Sequence, residues 1–281
     1  MKVFPSLAMQ SIIPGDNKSP APMPAELLAS RRENTLVLTL SNPGAKNALH
    51  PDMYAAGVEA LETAERDPAV LCIVLTGAGD VFCAGGNLNR LLENRAKDRS
   101  VQANSIDQLH SWVAAIRDCS KPVIAAVEGP AAGAGFSLAL ACDLIVAAES
   151  AKFVMAYVKV GLTPDGGGSW FLSQALPRQL ATEILLEGQA VTAARLQQAG
   201  VVNRVVADGS ALDEALKWSE QFASLSPNAC AGIKSLLHDA PSNTLSTHFN
   251  AEKQYFVEAL HHRDGLEGIT AFLEKRKANY A

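Results

Sequence analysis

The chain lacks any apolar run long enough to span a bilayer, and it lacks any dense run of lysine and arginine. The first absence excludes a transmembrane helix, and no membrane partner is expected. The second accompanies 24 Lys and Arg against 29 Asp and Glu, a net charge of −5. That balance argues against nucleic acid as a partner, while leaving room for a local basic patch that receives a phosphate. Cys-x-x-Cys pairs are missing, and the five cysteines and six histidines show no ligand spacing, so no metal is expected. Three of the cysteines fall inside apolar segments, as buried thiols of a reducing compartment do.

Residues 1–30 lack a continuous hydrophobic segment and contain no arginine, while five prolines punctuate them. This fits neither a secretory signal nor a mitochondrial presequence, so a mobile tail on a cytoplasmic protein is expected.

What remains is an ordinary globular balance: 281 residues, 48% hydrophobic and 19% charged, with ample material for a core. Period-2 and β-branched runs predict strands near 35–40, 70–76, 122–127, 144–147, 153–155 and 201–206. Helical spacing predicts 51–65, 106–119, 134–141 and a helix beginning at 169, with residues 89–104 polar, mobile and partly helical. From Thr192 onward the pattern is almost wholly helical. Strand and helix alternate until about residue 170, so the class is α/β with a helical C-terminal part. There is no internal repeat.

Two glycine-rich stretches dominate the chemistry: Phe82-Cys83-Ala84-Gly85-Gly86-Asn87-Leu88 and Gly129-Pro130-Ala131-Ala132-Gly133-Ala134-Gly135-Phe136-Ser137. Each follows a buried-strand pattern, Cys72–Thr76 and Val123–Val127. With side chains nearly absent, backbone N–H groups can approach a ligand closely. Two such groups from separate loops are what an enzyme needs to hold one oxygen that becomes negative during reaction. The first loop offers the N–H of Gly86 and the second that of Ala134. Asp165, in Pro164-Asp165-Gly166-Gly167-Gly168, is either a turn aspartate or an acid–base group. Ser137 lacks the Gly-x-Ser-x-Gly context of a hydrolase nucleophile and is a pocket-lining candidate. Tyr157 is a candidate hydrogen-bond donor in the pocket, Cys83 a small buried residue, and Asp143 an anchor of the core.

Asn42-Pro43, Lys46-Asn47-Ala48-Leu49, the two glycine stretches, Ala141-Cys142-Asp143 and the ending Glu267–Arg276 together resemble the enoyl-CoA hydratase/isomerase (crotonase) family over residues 33–281. The resemblance implies a spiral of ββα units with a C-terminal helical trimerisation region. In that frame residues 31–205 are the crotonase-like core and 206–281 the helical region. It also implies acyl-CoA thioester substrates, with coenzyme A as part of the substrate rather than a cofactor, and assembly as a homotrimer or dimer of trimers. Gly86 and Ala134 then hold the thioester oxygen, and the Ala84 carbonyl receives the adenine amino group. Lys46 is a candidate phosphate contact. Phe272 and Lys275 resemble residues that reach a CoA, often that of a neighbouring subunit. The segment 89–105, Trp170 and Phe171 are candidate walls of the acyl-tail pocket.

Hydratases of this family use two glutamates to activate water; the corresponding positions here carry Ser137 and Tyr157. The Asp165 segment is instead similar to the Pro-Asp-x-Gly-Gly of members that isomerise double bonds, including the phenylacetate-pathway ring isomerase. The expectation is an acyl-CoA isomerase with Asp165 as proton shuttle. The alternatives are hydration of a 2-enoyl-CoA, a non-catalytic CoA-thioester or RNA-binding role, and thioester hydrolysis.

Overall fold

The structure, a computed structural model, describes residues 24–280. Glu26–Arg32 (β1) and Thr35–Ser41 (β2) form an antiparallel hairpin that turns at Glu33-Asn34, with Glu33 at φ 50°. Helix α1 (Pro51–Arg66) follows, with proline in its first turn and the His50 ring accepting the Asp52 N–H. Next come β3 (Cys72–Gly77), α2 (Leu88–Arg95) and α3 (Arg99–Asp118). A compact run then brings β4 (Val123–Val127), β5 (Pro130–Ala132), α4 (Ala134–Ala141), β6 (Leu144–Ala148) and β7 (Lys152–Val154). The chain continues through α5 (Gly168–Ala175), α6 (Arg178–Glu187), β8 (Ala190–Thr192), α7 (Ala193–Gln198) and β9 (Arg204–Val206). It ends in α8 (Ala211–Phe222), α9 (Pro227–Asp239), α10 (Leu245–His261) and α11 (Arg263–Leu273).

The main sheet has the order β1-β2-β3-β4-β6-β9 and is parallel apart from β1. Its central strands are buried on both faces, which is why they read as continuous apolar runs. Leu38, Leu40, Ile73, Leu75 and Ala125 join the core that holds Met53 and Leu61 of α1 and Trp112 and Ile116 of α3. Val37, Val74, Ile124 and Val146 point the other way, onto Ala211 and Ala215 of α8. A second, small sheet, β5-β7-β8, lies beside the first. Isolated bridges Cys83↔Ala131 and Leu49↔Gly86 extend the pairing from β5 into the first glycine loop. Successive turns of chain therefore each supply a long strand, a short strand or bridge, and a helix. That is the expected ββα spiral.

Asp143 is a core anchor, as its sequence context suggested. Its carboxylate accepts the Val123 N–H at 2.7 Å and the Lys234 ammonium at 2.6 Å, tying α9 to the start of β4. Other readings need correction. Residues 26–30, expected in a mobile tail, belong to strand β1; residues 1–23 of that call lie outside the described residues. Helix α3 begins at Arg99 rather than 106, because Asp98 caps it through the Ser100 N–H at 2.9 Å. Helix α6 carries no expectation from the sequence.

Where α4 meets the first glycine loop, a Cβ built on Gly135 lies 2.6 Å from the Cys83 Cβ and 2.7 Å from its carbonyl oxygen. Both neighbours are fully buried. Gly135→Ala is therefore expected to destabilise the protein by about 1–3 kcal/mol, read as a lower urea midpoint.

Candidate active site

The two glycine loops are joined by their backbones. The Cys83 N–H donates to the Pro130 carbonyl at 3.1 Å, and the Ala132 N–H donates to the Cys83 carbonyl at 2.8 Å. On the other side, the Ala84 N–H donates to the Lys46 carbonyl and the Leu49 N–H to the Gly85 carbonyl. These bonds leave the amides of Gly86 and Ala134 without a partner among the described residues. Both residues line one cavity of about 370 Å³. Ala134 is the first residue of α4, so its amide carries the positive end of that helix. An oxygen acquiring negative charge between the two amides is stabilised by both.

Asp165 lines the same cavity and is the only carboxylate among its described lining residues. Its placement is over-determined. The Ser137 hydroxyl donates to the Asp165 carbonyl at 2.9 Å, and the Gly168 N–H donates to the same oxygen at 3.2 Å. The second bond closes a tight turn whose central residues, Gly166 and Gly167, both have positive φ, at 59° and 79°. The side chain is held separately: the Tyr157 hydroxyl donates to Oδ1 at 2.6 Å. The Tyr157 ring also packs against Gly133, immediately before the Ala134 amide. One side chain thus touches the carboxylate and braces the opposite wall. Burial above all, and then the Asp165 charge, push the Tyr157 phenol well above its ordinary range, so it stays a donor.

Ser137 is fully buried behind Asp165 and lines no part of the cavity, which corrects its reading as a pocket residue. Cys83 is likewise fully buried, and burial pushes its thiol up to about 12; it is a packing residue and remains protonated. Ala84 lines the cavity. The Lys46 side chain is exposed and lies outside the cavity lining, as do Phe272 and Lys275 at the C-terminal end. Trp170 and Phe171 are also outside the lining. The 89–105 segment does supply walls, through Arg90, Leu91, Asn94, Gln102 and Ser105.

Tyr54 of α1 was not singled out in the sequence. It lines the cavity, is largely buried, and packs near Trp112 with ring centroids 6.4 Å apart. Burial, and next the Asp165 charge, raise its phenol to about 12. Tyr54 lies beside Met53 in an amphipathic helix, and nothing local in the sequence marks it as a cavity wall. Among the described residues no cluster of His, Cys, Asp and Glu could hold a metal ion, and none of the described helices is long and apolar enough to cross a membrane.

The family model for enoyl-CoA hydratase/isomerase matches residues 30–281. The chain is 36% identical over 255 residues to the 1,2-epoxyphenylacetyl-CoA isomerase of Escherichia coli, covering 90% of this chain and 97% of that protein. It is also 36% identical over 256 residues to the 2,3-dehydroadipyl-CoA hydratase of the same organism, covering 91% and 98%. A crystal structure of an enoyl-CoA hydratase from Polaromonas sp. JS666 superposes with a TM-score of 0.90 at 55% identity, covering 91% of this chain and all of that one (100%). The fold is that of crotonase, and the chain belongs to the enoyl-CoA hydratase/isomerase family.

Proposed function

We propose that this member of the family is an isomerase of unsaturated acyl-CoA thioesters, with Asp165 carrying the proton. One observation bears most of the weight: a single carboxylate shares the cavity with two unpartnered backbone amides. Addition of water in this family's hydratases uses two acids, and at those positions here stand a buried serine and a tyrosine that already donates to Asp165. The 1,2-epoxyphenylacetyl-CoA isomerase among the relatives agrees with this reading, whereas other relatives are named hydratases.

Tyr157 occupies Oδ1, which leaves Oδ2 as the working oxygen. Oδ2 takes a proton from C2 of a 3-enoyl thioester, and the electron pair of that C–H bond moves toward the thioester oxygen. The Gly86 and Ala134 amides hold the enolate oxygen, each contributing on the order of 3 kcal/mol to the transition state. The enolate then collapses: the double bond re-forms between C2 and C3, and Oδ2 returns the proton to C4. Nothing is added and nothing leaves. A carboxylate that accepts and then donates the same proton needs no second acid.

Assembly is part of the proposal. Helices α10 and α11 expose Phe256, Leu266 and Phe272, the last 82% accessible. Such an apolar surface suits burial against further copies, as a trimer or a pair of trimers. Sedimentation at micromolar concentration is expected to give a species of three or six chains; a monomer would remove this part.

With a 3-enoyl-CoA, Asp165→Ala is expected to lose about 10²–10⁴ in kcat while binding is retained. Undiminished turnover, or efficient hydration of crotonyl-CoA by the native protein, would replace the isomerase reading. Tyr157→Phe keeps the ring on Gly133 and removes only the hydroxyl. It should lower kcat by about 10–100-fold with KM little changed, since a charge-assisted hydrogen bond is worth about 1.5–3 kcal/mol. Because the Tyr157 phenol is raised, the folded native and Tyr157→Phe proteins should show equal phenolate absorbance at about pH 11; an excess in the native protein would contradict its assigned environment.

A further inference from the structure

Among the described residues that line the acyl cavity there is one cation, Arg90, on the first turn of α2. Arg90 is half-buried and makes no ion pair with any described residue. The carboxylate in the cavity does not neutralise it: Asp165 presents Oδ1 to Tyr157 and forms no ion pair with the guanidinium. The Arg90 charge is felt by the Tyr54 phenol, which places its influence inside the cavity. A guanidinium partly withdrawn from water, with no anionic partner among the described residues, favours a ligand that brings one.

The wall beside Arg90 has matching chemistry. Asn94 lies one helical turn further along α2, on the same face, and is buried. Its side-chain amide donates to Gln102 Oε1 at 2.9 Å, which leaves the Gln102 NH₂ group as a donor at the cavity wall. Ser105 adds a hydroxyl one turn on along α3. Leu91, Ile106 and Leu109 fill the spaces between them with apolar surface. A guanidinium, an amide NH₂ and a hydroxyl form a donor-rich strip in an otherwise apolar pocket, and such a strip complements an oxyanion.

We propose that this strip is a subsite for a second carboxylate, and that the substrates are CoA monothioesters of dicarboxylic acids. The thioester end lies at the Gly86 and Ala134 amides, and the free carboxylate is received by Arg90 with help from Gln102 and Ser105. Arginine suits this role because its planar fork can take both oxygens of a carboxylate at once. The inference rests on the reading of the cavity as the acyl-CoA site, but it does not depend on which reaction occurs there.

Saturated analogues separate the two. Calorimetric titration with adipyl-CoA against hexanoyl-CoA, and suberyl-CoA against octanoyl-CoA, reads the subsite with no double bond to react. In at least one pair, the native protein is expected to bind the diacid thioester about 10–100-fold more tightly. Arg90→Met and the milder Arg90→Gln should bring the members of that pair to within about threefold, with the monoacid affinity unchanged. Equal affinities in both pairs for the native protein would overturn the proposal. So would an equal loss for both members in the two variants, which would assign Arg90 to the CoA moiety. Failure of isomerisation in turnover assays would leave these titrations intact.

Discussion

The site depends on two loops from adjacent parallel strands meeting at backbone distance. Cys83 pairs with Pro130 and Ala132 through main-chain hydrogen bonds, and α4 begins two residues beyond that pairing, where a side chain on Gly135 would collide with Cys83. Close approach fixes where the amides of Gly86 and Ala134 point, and it does so without any functional side chain. Those donors are rigid because they belong to the folded backbone, and the ordering cost is met during folding rather than during reaction. The small residues in both loops follow from this requirement, as does the full burial of Cys83.

The opposite wall follows a different rule. Asp165 sits on a turn, where a carboxylate is ordinarily free to move. Here its carbonyl is held by Ser137 from α4 and by Gly168 from α5, while its side chain is held by Tyr157. Ser137 and Ala134 lie one turn apart on α4. The helix that presents the Ala134 amide therefore also anchors the turn bearing the carboxylate, so the two halves of the cavity are positioned by one short, fully buried element.

The fold and the loops were legible because they rest on local rules. Val123–Val127 is apolar without interruption because both faces are covered, and the glycine stretches follow their strands directly. The resemblance to a known family supplied Asp165, which a turn-like Pro-Asp-Gly alone could not distinguish from an ordinary bend. Other features were hidden. Strand β1 has almost no buried face, so it carries no alternation to read. Ser137 followed a glycine loop and suggested a pocket residue, but helical phase turned it toward the Asp165 backbone. Arg90 and Asn94 sat in a polar stretch that resembles a solvated surface, and only the packing of α2 against α3 makes it a wall.

The hairpin that opens the described chain has a consequence for behaviour in concentrated solution. Among the described residues β1 is the outer strand of the main sheet, and a free strand edge invites pairing with another molecule. Glu26, Arg31 and Arg32 place charges of both signs along this exposed strand, and Arg31 is directed to Asp67 and the Ala69 carbonyl. Charged side chains on an exposed edge keep it hydrated and make it a poor template for another strand. The same short hairpin that completes the sheet thus also carries the charges that blunt this edge against cross-molecular β-pairing.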